Sequence, residues 1–462
     1  MVFSSLPFLF FYLTVLLLIY KISPLKLRNL FLLLASLFFY GWGEPVYILI
    51  MFLSIFVDYT HGMLVEKWRG NDRKARMAVF SSVFFNLAIL FFFKYWDFFA
   101  VSINNLIGIG LPVLGVPLPI GISFYTFQTM SYTIDVYRGD APVQKNIVTF
   151  GTFVTLFPQL IAGPIIQYKQ VAEQLESRTE GLEKFVSGIQ RFCVGMAKKV
   201  LLANAIGKLW DASLVETELT VVGAWLGLAA QAFQIYFDFS GYSDMAIGLG
   251  RMMGFDFIEN FNYPYLSKSV AEFWRRWHMS LGSWFRDYVY IPLGGNRVSR
   301  MRWVFNILTV WMLTGLWHGA AWNFVLWGLL YAVFLLLEKW IPGLQKLPSP
   351  LCWGYTMLVV ILGFVLFNAS TLSQAGGDLA AMFGMAGLPL VTKHTLYCLR
   401  SFAVLLAVAC FGATPLPKKA FKALENHRFE PVLTLFLMVA ALLLCTAYLV
   451  DGSFSPFLYF RF

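Results

Sequence analysis

The residue whose type and position best suit chemistry is a single histidine in a long uncharged stretch. His318 stands in Trp317-His318-Gly319, near the centre of residues 303–337, which contain no Asp, Glu, Lys or Arg. An ionisable side chain inside a bilayer is costly, so its presence is a functional hypothesis by default. Because a neutral imidazole can take a proton from a hydroxyl group, we predict that His318 is a general base. The alternative is a structural histidine that donates a hydrogen bond to a neighbouring helix.

A second histidine, His278, lies in an aromatic and basic stretch, residues 272–280. One interpretation has Arg275, Arg276 and Arg286 facing the phosphates of a cytoplasmic anionic cofactor, since guanidinium groups bind phosphate in a bidentate manner. His278 would then lie near the mouth of the same chamber. The alternative is an interfacial anchor of Trp and Arg side chains. The other histidines adjoin basic residues and are predicted to be surface or interfacial: His61, His394 and His427.

Isolated polar residues and the cysteines are less specific. Each isolated polar side chain in an apolar run predicts a helix–helix hydrogen bond, and together they predict a polar interior. These residues are Gln128, Asp135, Gln159, Gln234, Asp238, Ser240, Tyr242, Asp244, Asn306 and Asn323. The five cysteines form no Cys-x-x-Cys pair and lie mostly in apolar stretches, so we predict neither a disulfide framework nor a metal site.

Composition indicates the kind of scaffold that positions these residues. The 462 residues are 59% hydrophobic and only 13% charged, whereas a soluble protein is about a quarter charged. Spans of about 20 residues then predict an all-α, polytopic membrane bundle of about ten or eleven helical segments. We expect residues 1–462 to form a single transmembrane domain. The net charge of +10 comes from clusters between apolar runs, which favours the positive-inside rule and membrane lipids over nucleic acid as partners.

The basic clusters also predict an orientation. Residues 1–20 lack a basic n-region and a cleavage site, which predicts a retained first span and not a signal peptide. The basic segments 21–28 and 67–76 follow the first and third spans, which places both in the cytoplasm. Continuing this parity places the N-terminus and the tail 451–462 outside. In a bacterium the membrane would be the inner membrane.

Several segments are predicted to depart from simple spans. Pro and Gly interrupt residues 101–119 and 150–167, predicting an interfacial or re-entrant segment and a broken helix. Residues 183–208 are amphipathic, with Lys198 and Lys199, and are predicted to lie along the membrane surface. Residues 303–337 would be about 50 Å long as one helix, too long for a bilayer of about 30 Å. We therefore predict a re-entrant hairpin with His318 at its tip.

Long motifs give the chain a family resemblance. It resembles the membrane-bound O-acyltransferase (MBOAT) family, and within it the bacterial AlgI and PatA branch, which serves alginate and peptidoglycan O-acetylation. The resemblance runs nearly from end to end. It is carried by FWRRWHMSL (273–281), WFRDYVYIPLGGNR (284–297), GLWHGAAWN (315–323), DFSGYSD (238–244), FPQLIAGP (157–164) and the opening residues 1–11.

The resemblance implies a helical ring with a central funnel and tunnel, and it assigns roles within that ring. His318 matches the catalytic histidine, and His278 matches a second family histidine. The implied donor is cytoplasmic acetyl-CoA, a substrate and not a bound cofactor. Residues 291–297 resemble the O-acetylating branch more than the D-alanylating DltB branch. Donor-binding candidates are Arg275, Arg276, Arg286, Trp277, Trp317 and Asn323.

The C-terminal tail, FLYFRF, resembles the end of a small partner protein of the D-alanylation system, whose tyrosine is proposed to carry the acyl group. Here the motif is part of the chain. We therefore expect Tyr459 to be a candidate acyl carrier, with His318 taking its phenol proton. The alternative is an aromatic anchor at the membrane interface.

The resemblance also implies a partner protein, and it leaves the polymer and the exact activity open. Family members work with a partner of the SGNH-hydrolase type, which completes transfer to an extracytoplasmic polysaccharide, and no such soluble domain is evident in the sequence. The polymer stays open between alginate, peptidoglycan, a cellulose-like glucan and another exopolysaccharide. Other functions are D-alanyl, lipid or protein acyl transfer in the same family. A transporter is a further alternative, favoured by broken helices but not by any inverted repeat.

Overall fold

A computed structural model describes residues 1–215, 219–424 and 427–452 of the chain. All regular secondary structure in these ranges is helical, which confirms the predicted all-α class. The α-helices are α1 Thr14–Ile22, α2 Arg28–Gly41, α3 Ile48–Lys67, α4 Asp72–Leu90, α5 Trp96–Ile107, α6 Ile122–Arg138, α7 Ile147–Thr155, α8 Phe157–Leu160, α9 Tyr168–Glu176, α10 Leu182–Ala197, α11 Asn204–Ser213, α12 Val221–Met252, α13 Val270–Arg276, α14 Met279–Phe285, α15 Arg300–His318, α16 Trp322–Trp340, α17 Ser349–Asn368, α18 Leu372–Met382, α19 Lys393–Gly412, α20 Leu416–Ala423 and α21 Glu430–Val450.

Other helical turns extend or connect these elements. Four π-helical segments are Pro7–Leu13, Phe91–Tyr95, Lys198–Ala203 and Arg286–Tyr290. Three short 3-10 helices are Leu25–Leu27, Pro264–Leu266 and Pro342–Lys346. The counts refer to the described ranges. Several predicted segments are thus divided into shorter pieces, above all between residues 147 and 213.

Six helical stretches of the described chain are long and apolar enough to cross a membrane, which agrees with a multi-pass protein. Each has at least 19 residues, or about 28 Å at 1.5 Å per residue, close to the hydrocarbon thickness. They are Ile48–Lys67, Asp72–Ile107, Trp322–Trp340, Ser349–Asn368, Lys393–Gly412 and Glu430–Val450. The predicted first span is a shorter apolar helix, Pro7–Ile22.

By its internal contacts the chain divides into two compact units. The first consists of Met1–Phe192 and Ser243–Ile258, and the second of Cys193–Tyr242 and Glu259–Phe462. The prediction of a single domain over residues 1–462 stays a prediction. Within the first unit, α3, α4 and α6 meet around a buried carboxylate, Asp58, which accepts hydrogen bonds from Ser82 (2.5 Å), Asn86 (2.8 Å) and Thr133 (3.2 Å). These neutral donors take the place of the hydrogen bonds to water that the carboxyl group loses on burial.

Two local predictions about basic residues were wrong. The cytoplasmic loop expected at residues 67–76 is much shorter, because α3 continues to Lys67 and α4 begins at Asp72. Lys199, expected at the membrane surface, is 4% exposed and forms an ion pair with Asp238 of α12. An amphipathic pattern does not distinguish a face turned to lipid headgroups from a face covered by another helix. Here Asp238 on α12 pairs with Lys199, which shows that this face is covered by another helix.

The predicted turn within residues 303–337 is confirmed, because two antiparallel helices, α15 and α16, are joined by residues 319–321. The re-entrant placement of this hairpin in the membrane, with cytoplasmic ends, stays a prediction. Gly315 lies against the backbone of Phe324, and Gly328 against the backbone of Trp311. Small residues at such positions let two helix backbones approach closely. Each leg has 19 residues, so each is about 28 Å long and matches a bilayer in length.

Candidate active site

His318 occupies the last position of α15, where the chain turns toward α16. Its side chain is buried among aromatic rings of the second unit. The centroid of its ring lies 5.0 Å from that of Trp327, 5.4 Å from that of Phe367 and 5.1 Å from that of Trp317. All three contacts are edge-to-face, so the imidazole has a fixed plane in an apolar pocket.

The adjacent Gly319 explains why the chain can turn so tightly at this histidine. A Cβ atom at Gly319 would collide with the ring of Phe324. Phe324 in turn packs edge-to-face on Phe367, which contacts His318. The Trp-His-Gly motif therefore combines a buried imidazole with the one residue type that leaves room for this aromatic packing.

His278 lies beside His318, with 6.2 Å between the two ring centroids. It stands between α13 and α14 with a backbone φ of +46°, a left-handed conformation that is uncommon for a residue with a Cβ atom. Nδ1 of His278 lies 3.2 Å from Oδ1 of Asn260. Burial lowers the pKa of His278 well below its ordinary value, so its imidazole is neutral at physiological pH.

The segment that leads to His278 is fixed to the hairpin through Glu338 of α16. This buried carboxylate accepts hydrogen bonds from the backbone N–H groups of Val270 (2.5 Å) and Ala271 (3.1 Å), at the start of α13. The Ser269 side chain accepts from the N–H of Glu272 in the same first turn. Acidic groups at a helix N-terminus satisfy free N–H groups and interact favourably with the helix dipole. The two histidines are therefore carried by elements that are bonded to each other.

A cavity of about 640 Å³ opens in the second unit along the hairpin. The lining positions of α15 recur every three or four residues, which places them on one helix face. They are Arg300, Trp303, Ile307, Val310, Trp311 and Thr314. Fourteen residues of α-helix separate the first from the last, so this face is about 21 Å long at 1.5 Å per residue. Thr314 is one helical turn before His318.

The cavity has cationic side chains and an imidazole in its wall. Arg286, Arg300 and Lys339 line it, as does His278. Arg300 begins α15 and Lys339 is next to the end of α16. Because the hairpin is antiparallel, both lie at its open end, whereas His318 lies at the turn. Glu338 also lines the cavity at this end, and its carboxylate accepts hydrogen bonds from the N–H groups of Val270 and Ala271. Arg300 and Lys339 therefore leave an excess of positive charge at the hairpin end opposite His318.

Only one of the three arginines predicted to bind the donor lines the cavity. Arg286 lines the cavity, whereas Arg275 and Arg276 are not among its lining residues. The Arg275 Nε donates to the Ala271 carbonyl of its own helix (3.3 Å). Arg276 forms an ion pair with Glu272 at 2.7 Å, so its charge is already neutralised.

The Trp and Asn residues predicted to bind the donor instead pack against, or form hydrogen bonds with, residues around the two histidines. Trp277 is buried and its ring stacks against Phe273, at a centroid distance of 5.5 Å. Trp317 contacts the His278 ring at 5.8 Å. The Asn323 amide donates to the carbonyls of Leu366 (3.3 Å) and Ala369 (3.0 Å), which joins α16 to the end of α17. Tyr459 lies outside the described residues.

Three groups of this site were missed by sequence reasoning. Arg300 and Lys339 flank the uncharged stretch that predicted the hairpin, so an antiparallel pairing of its ends would have found them. Asn260 gives no comparable signal, because it lies 18 residues from His278 in a non-helical segment. In the described ranges no group of three or more His, Cys, Asp or Glu side chains is arranged to hold a metal ion.

Comparisons with known proteins identify the family of the chain. The sequence model of MBOAT, the membrane-bound O-acyltransferase family, matches residues 37–375. The chain is 41% identical to the probable alginate O-acetylase AlgI of Azotobacter vinelandii over 505 aligned residues, which cover both chains completely. It is 43% identical to the protein of the same name from Pseudomonas aeruginosa, over 92% of this chain and 85% of that one.

A third relative is named for a different substrate. The peptidoglycan O-acetyltransferase of Helicobacter pylori is 33% identical over 404 residues, covering 80% of this chain and 76% of its own. The match of the family model to most of the chain and the full-length relatives lead to one assignment. This chain is an acyltransferase that belongs to the membrane-bound O-acyltransferase family.

Proposed function

We propose that this enzyme transfers acetyl groups from cytoplasmic acetyl-CoA across the inner membrane for O-acetylation of an extracytoplasmic polysaccharide. The activities of these relatives support acetyl transfer over D-alanyl transfer, and alginate or peptidoglycan as the type of acceptor. The orientation follows from the basic segments, with both termini extracytoplasmic. An SGNH-type partner outside the membrane would complete the transfer to the sugar.

The observation that carries this proposal is the cavity along α15. An acyl-CoA combines a polyanionic nucleotide with a long, narrow arm that ends in the thioester. Arg300 and Lys339 suit the phosphates, since charge-assisted hydrogen bonds to phosphate are strong. Arg286 lines the same cavity but forms an ion pair with Asp287 at 2.8 Å. The largely aromatic and aliphatic wall between Trp303 and Thr314 suits the arm. The thioester would then approach the two histidines.

The residues of the site suffice for a balanced transfer. The imidazole of His318 takes the proton of the attacking hydroxyl, and the oxygen attacks the thioester carbonyl carbon. An ester forms, the C–S bond breaks, and the departing thiolate receives the proton from the imidazolium. No redox partner is required. The attacking hydroxyl belongs either to Tyr459 or to an acceptor presented by the partner.

A carrier role for Tyr459 predicts a specific loss. Tyr459→Phe removes the hydroxyl oxygen and nothing else, so we expect polymer acetylation in cells to fall to background. Acetyl content of the secreted polymer is the measurement. Tyr448→Phe, a change of the same kind on α21, is the matched control and should behave as the unsubstituted chain. Normal acetylation in the Tyr459 variant would exclude an obligatory role.

The donor site predicts a charge-dependent Michaelis constant. Arg300→Ala and Lys339→Ala should each raise the KM for acetyl-CoA by about 10- to 100-fold, because a lost charge-assisted contact costs about 1.5–3 kcal/mol. Transfer from labelled acetyl-CoA by the purified protein is the measurement. Arg302→Ala is the matched control, since Arg302 is exposed on the same helix but does not line the cavity.

This assay tests separately whether the cavity binds the donor and whether the protein transfers acetyl groups. A KM that stays unchanged in both cavity variants would remove the donor from this cavity. The assay is also run with folded protein, the acceptor polysaccharide and the SGNH-type partner present. No labelled product from acetyl-CoA under these conditions would contradict the proposed activity itself.

A further inference from the structure

We propose that Asn260 is a positioning residue that fixes His278 as the Nδ1–H tautomer, so that Nε2 offers a lone pair to the reacting molecules. This inference rests on the proposed function for its chemistry. Its geometry lies entirely within the second unit, in the residues around the left-handed turn between α13 and α14.

The identity of the Asn260 side-chain atom that faces His278 follows from a backbone donor. The N–H of Ser280 can only donate, and it lies 3.2 Å from Oδ1 of Asn260. The Ser280 hydroxyl donates to the same oxygen at 2.9 Å. Exchanging the oxygen and nitrogen of the amide would place an NH₂ group against this N–H. The atom 3.2 Å from Nδ1 of His278 is therefore an acceptor.

An acceptor oxygen at that distance selects the tautomer of the ring. If Nδ1 carried a lone pair, two lone pairs would face each other at 3.2 Å in a buried site. The Ser280 hydroxyl could then donate to Nδ1 only at 3.5 Å, longer than its contact with Asn260. With a proton on Nδ1, the ring donates to Oδ1 and no repulsion arises. Because burial keeps the imidazole neutral, Nε2 has no proton.

The remaining nitrogen is left available for a ligand. Among the described residues, Nε2 of His278 has no hydrogen-bond partner, although His278 is only 1% exposed. A buried acceptor without a partner costs free energy, which a bound molecule can recover. His278 lines the cavity, and its Nδ1 edge is turned to Asn260. The edge that carries Nε2 is thus the one that a ligand can reach.

This tautomer restricts what His278 can do. An unprotonated Nε2 accepts a hydrogen bond, so it can bind the hydroxyl of the acyl acceptor or an amide N–H of the donor. It cannot donate to a carbonyl oxygen or to the oxyanion of a tetrahedral intermediate. We therefore assign His278 to orienting or deprotonating a donor group beside His318, and not to oxyanion stabilisation.

The direct test is the tautomer itself, which needs no activity. Protein labelled with ¹⁵N-histidine is reconstituted in lipid, and the spectrum of His278 is assigned by its loss in His278→Gln. We expect an Nδ1–H and an unprotonated Nε2 in the unsubstituted chain. A proton on Nε2, with or without one on Nδ1, would overturn the inference even if acetyl transfer is intact.

Kinetics supply the second test. Asn260→Leu removes the acceptor, and we expect kcat to fall at least about tenfold while KM for acetyl-CoA changes less than about twofold. Asn260→Asp keeps the acceptor and should restore most of kcat at high pH. Its carboxylate favours the imidazolium, so the acid limb of the pH profile should move up by about one unit or more.

A matched control separates positioning from packing. Asn306 is equally buried, and its amide binds the carbonyls of Leu293 and Gly295 away from the histidines. Asn306→Leu should cost stability without moving the pH profile or the His278 tautomer. An unshifted profile in Asn260→Asp, together with full kcat in a folded Asn260→Leu, would refute the positioning role.

Discussion

His318→Ala is expected to reduce acetyl transfer from acetyl-CoA by about 10²–10⁴-fold, the range typical of a lost general base. The imidazole lies in a pocket of aromatic rings, and the rings of Trp327, Phe367 and Trp317 supply no base in its place. His278, whose ring centroid is 6.2 Å away, is held at Nδ1 by Asn260 and keeps its own position in the variant. Labelled transfer by purified protein in lipid is the measurement. KM for acetyl-CoA should change little, because the cationic residues lie at the opposite end of the hairpin.

The variant must be shown to be folded, since removing an aromatic ring from a packed site also creates a cavity. His318→Gln retains a polar side chain of similar size and is the control for packing. It should be as inactive as His318→Ala and closer in thermal stability to the unsubstituted chain. Transfer that survives both substitutions would show that His318 is the structural histidine of the alternative interpretation.

Gly315→Val and Gly328→Val are expected to disrupt the hairpin and abolish activity together. A Cβ atom at Gly315 would overlap the carbonyl of Phe324, and one at Gly328 would overlap the carbonyl of Trp311. Backbone atoms of packed helices cannot move aside as a flexible side chain can. Such overpacking costs about 1–3 kcal/mol or more, and here it also separates the legs that carry Arg300 and His318.

Thermal unfolding in detergent and transfer activity are the two measurements for these variants. Gly354 provides the matched control, because it lies within α17 and a Cβ atom there would meet nothing within 4 Å. Gly354→Ala should leave the unfolding temperature unchanged or slightly raised, since alanine favours a helix more than glycine does. Unchanged stability in both hairpin variants would contradict the close approach of α15 and α16.

The sequence by itself determined the membrane class, most spans and the central histidine. Hydropathy and chain length are local properties, so they located α16, α17, α19 and α21 and required a turn near His318. The absence of charge around His318 likewise marked it before any contact was known. The family motifs then predicted a catalytic role for it.

Only the tertiary structure decided which residues meet. The local sequence predicts Lys199 at the surface, whereas in the structure it is buried against Asp238. Arg276 looked like a phosphate ligand, but Glu272 neutralises it, whereas Arg300 and Lys339 come together at the open end of the hairpin. Asn260 meets His278 across a loop with no periodic pattern. Partner choice depends on packing between segments distant in sequence, and neither hydropathy nor local spacing encodes it.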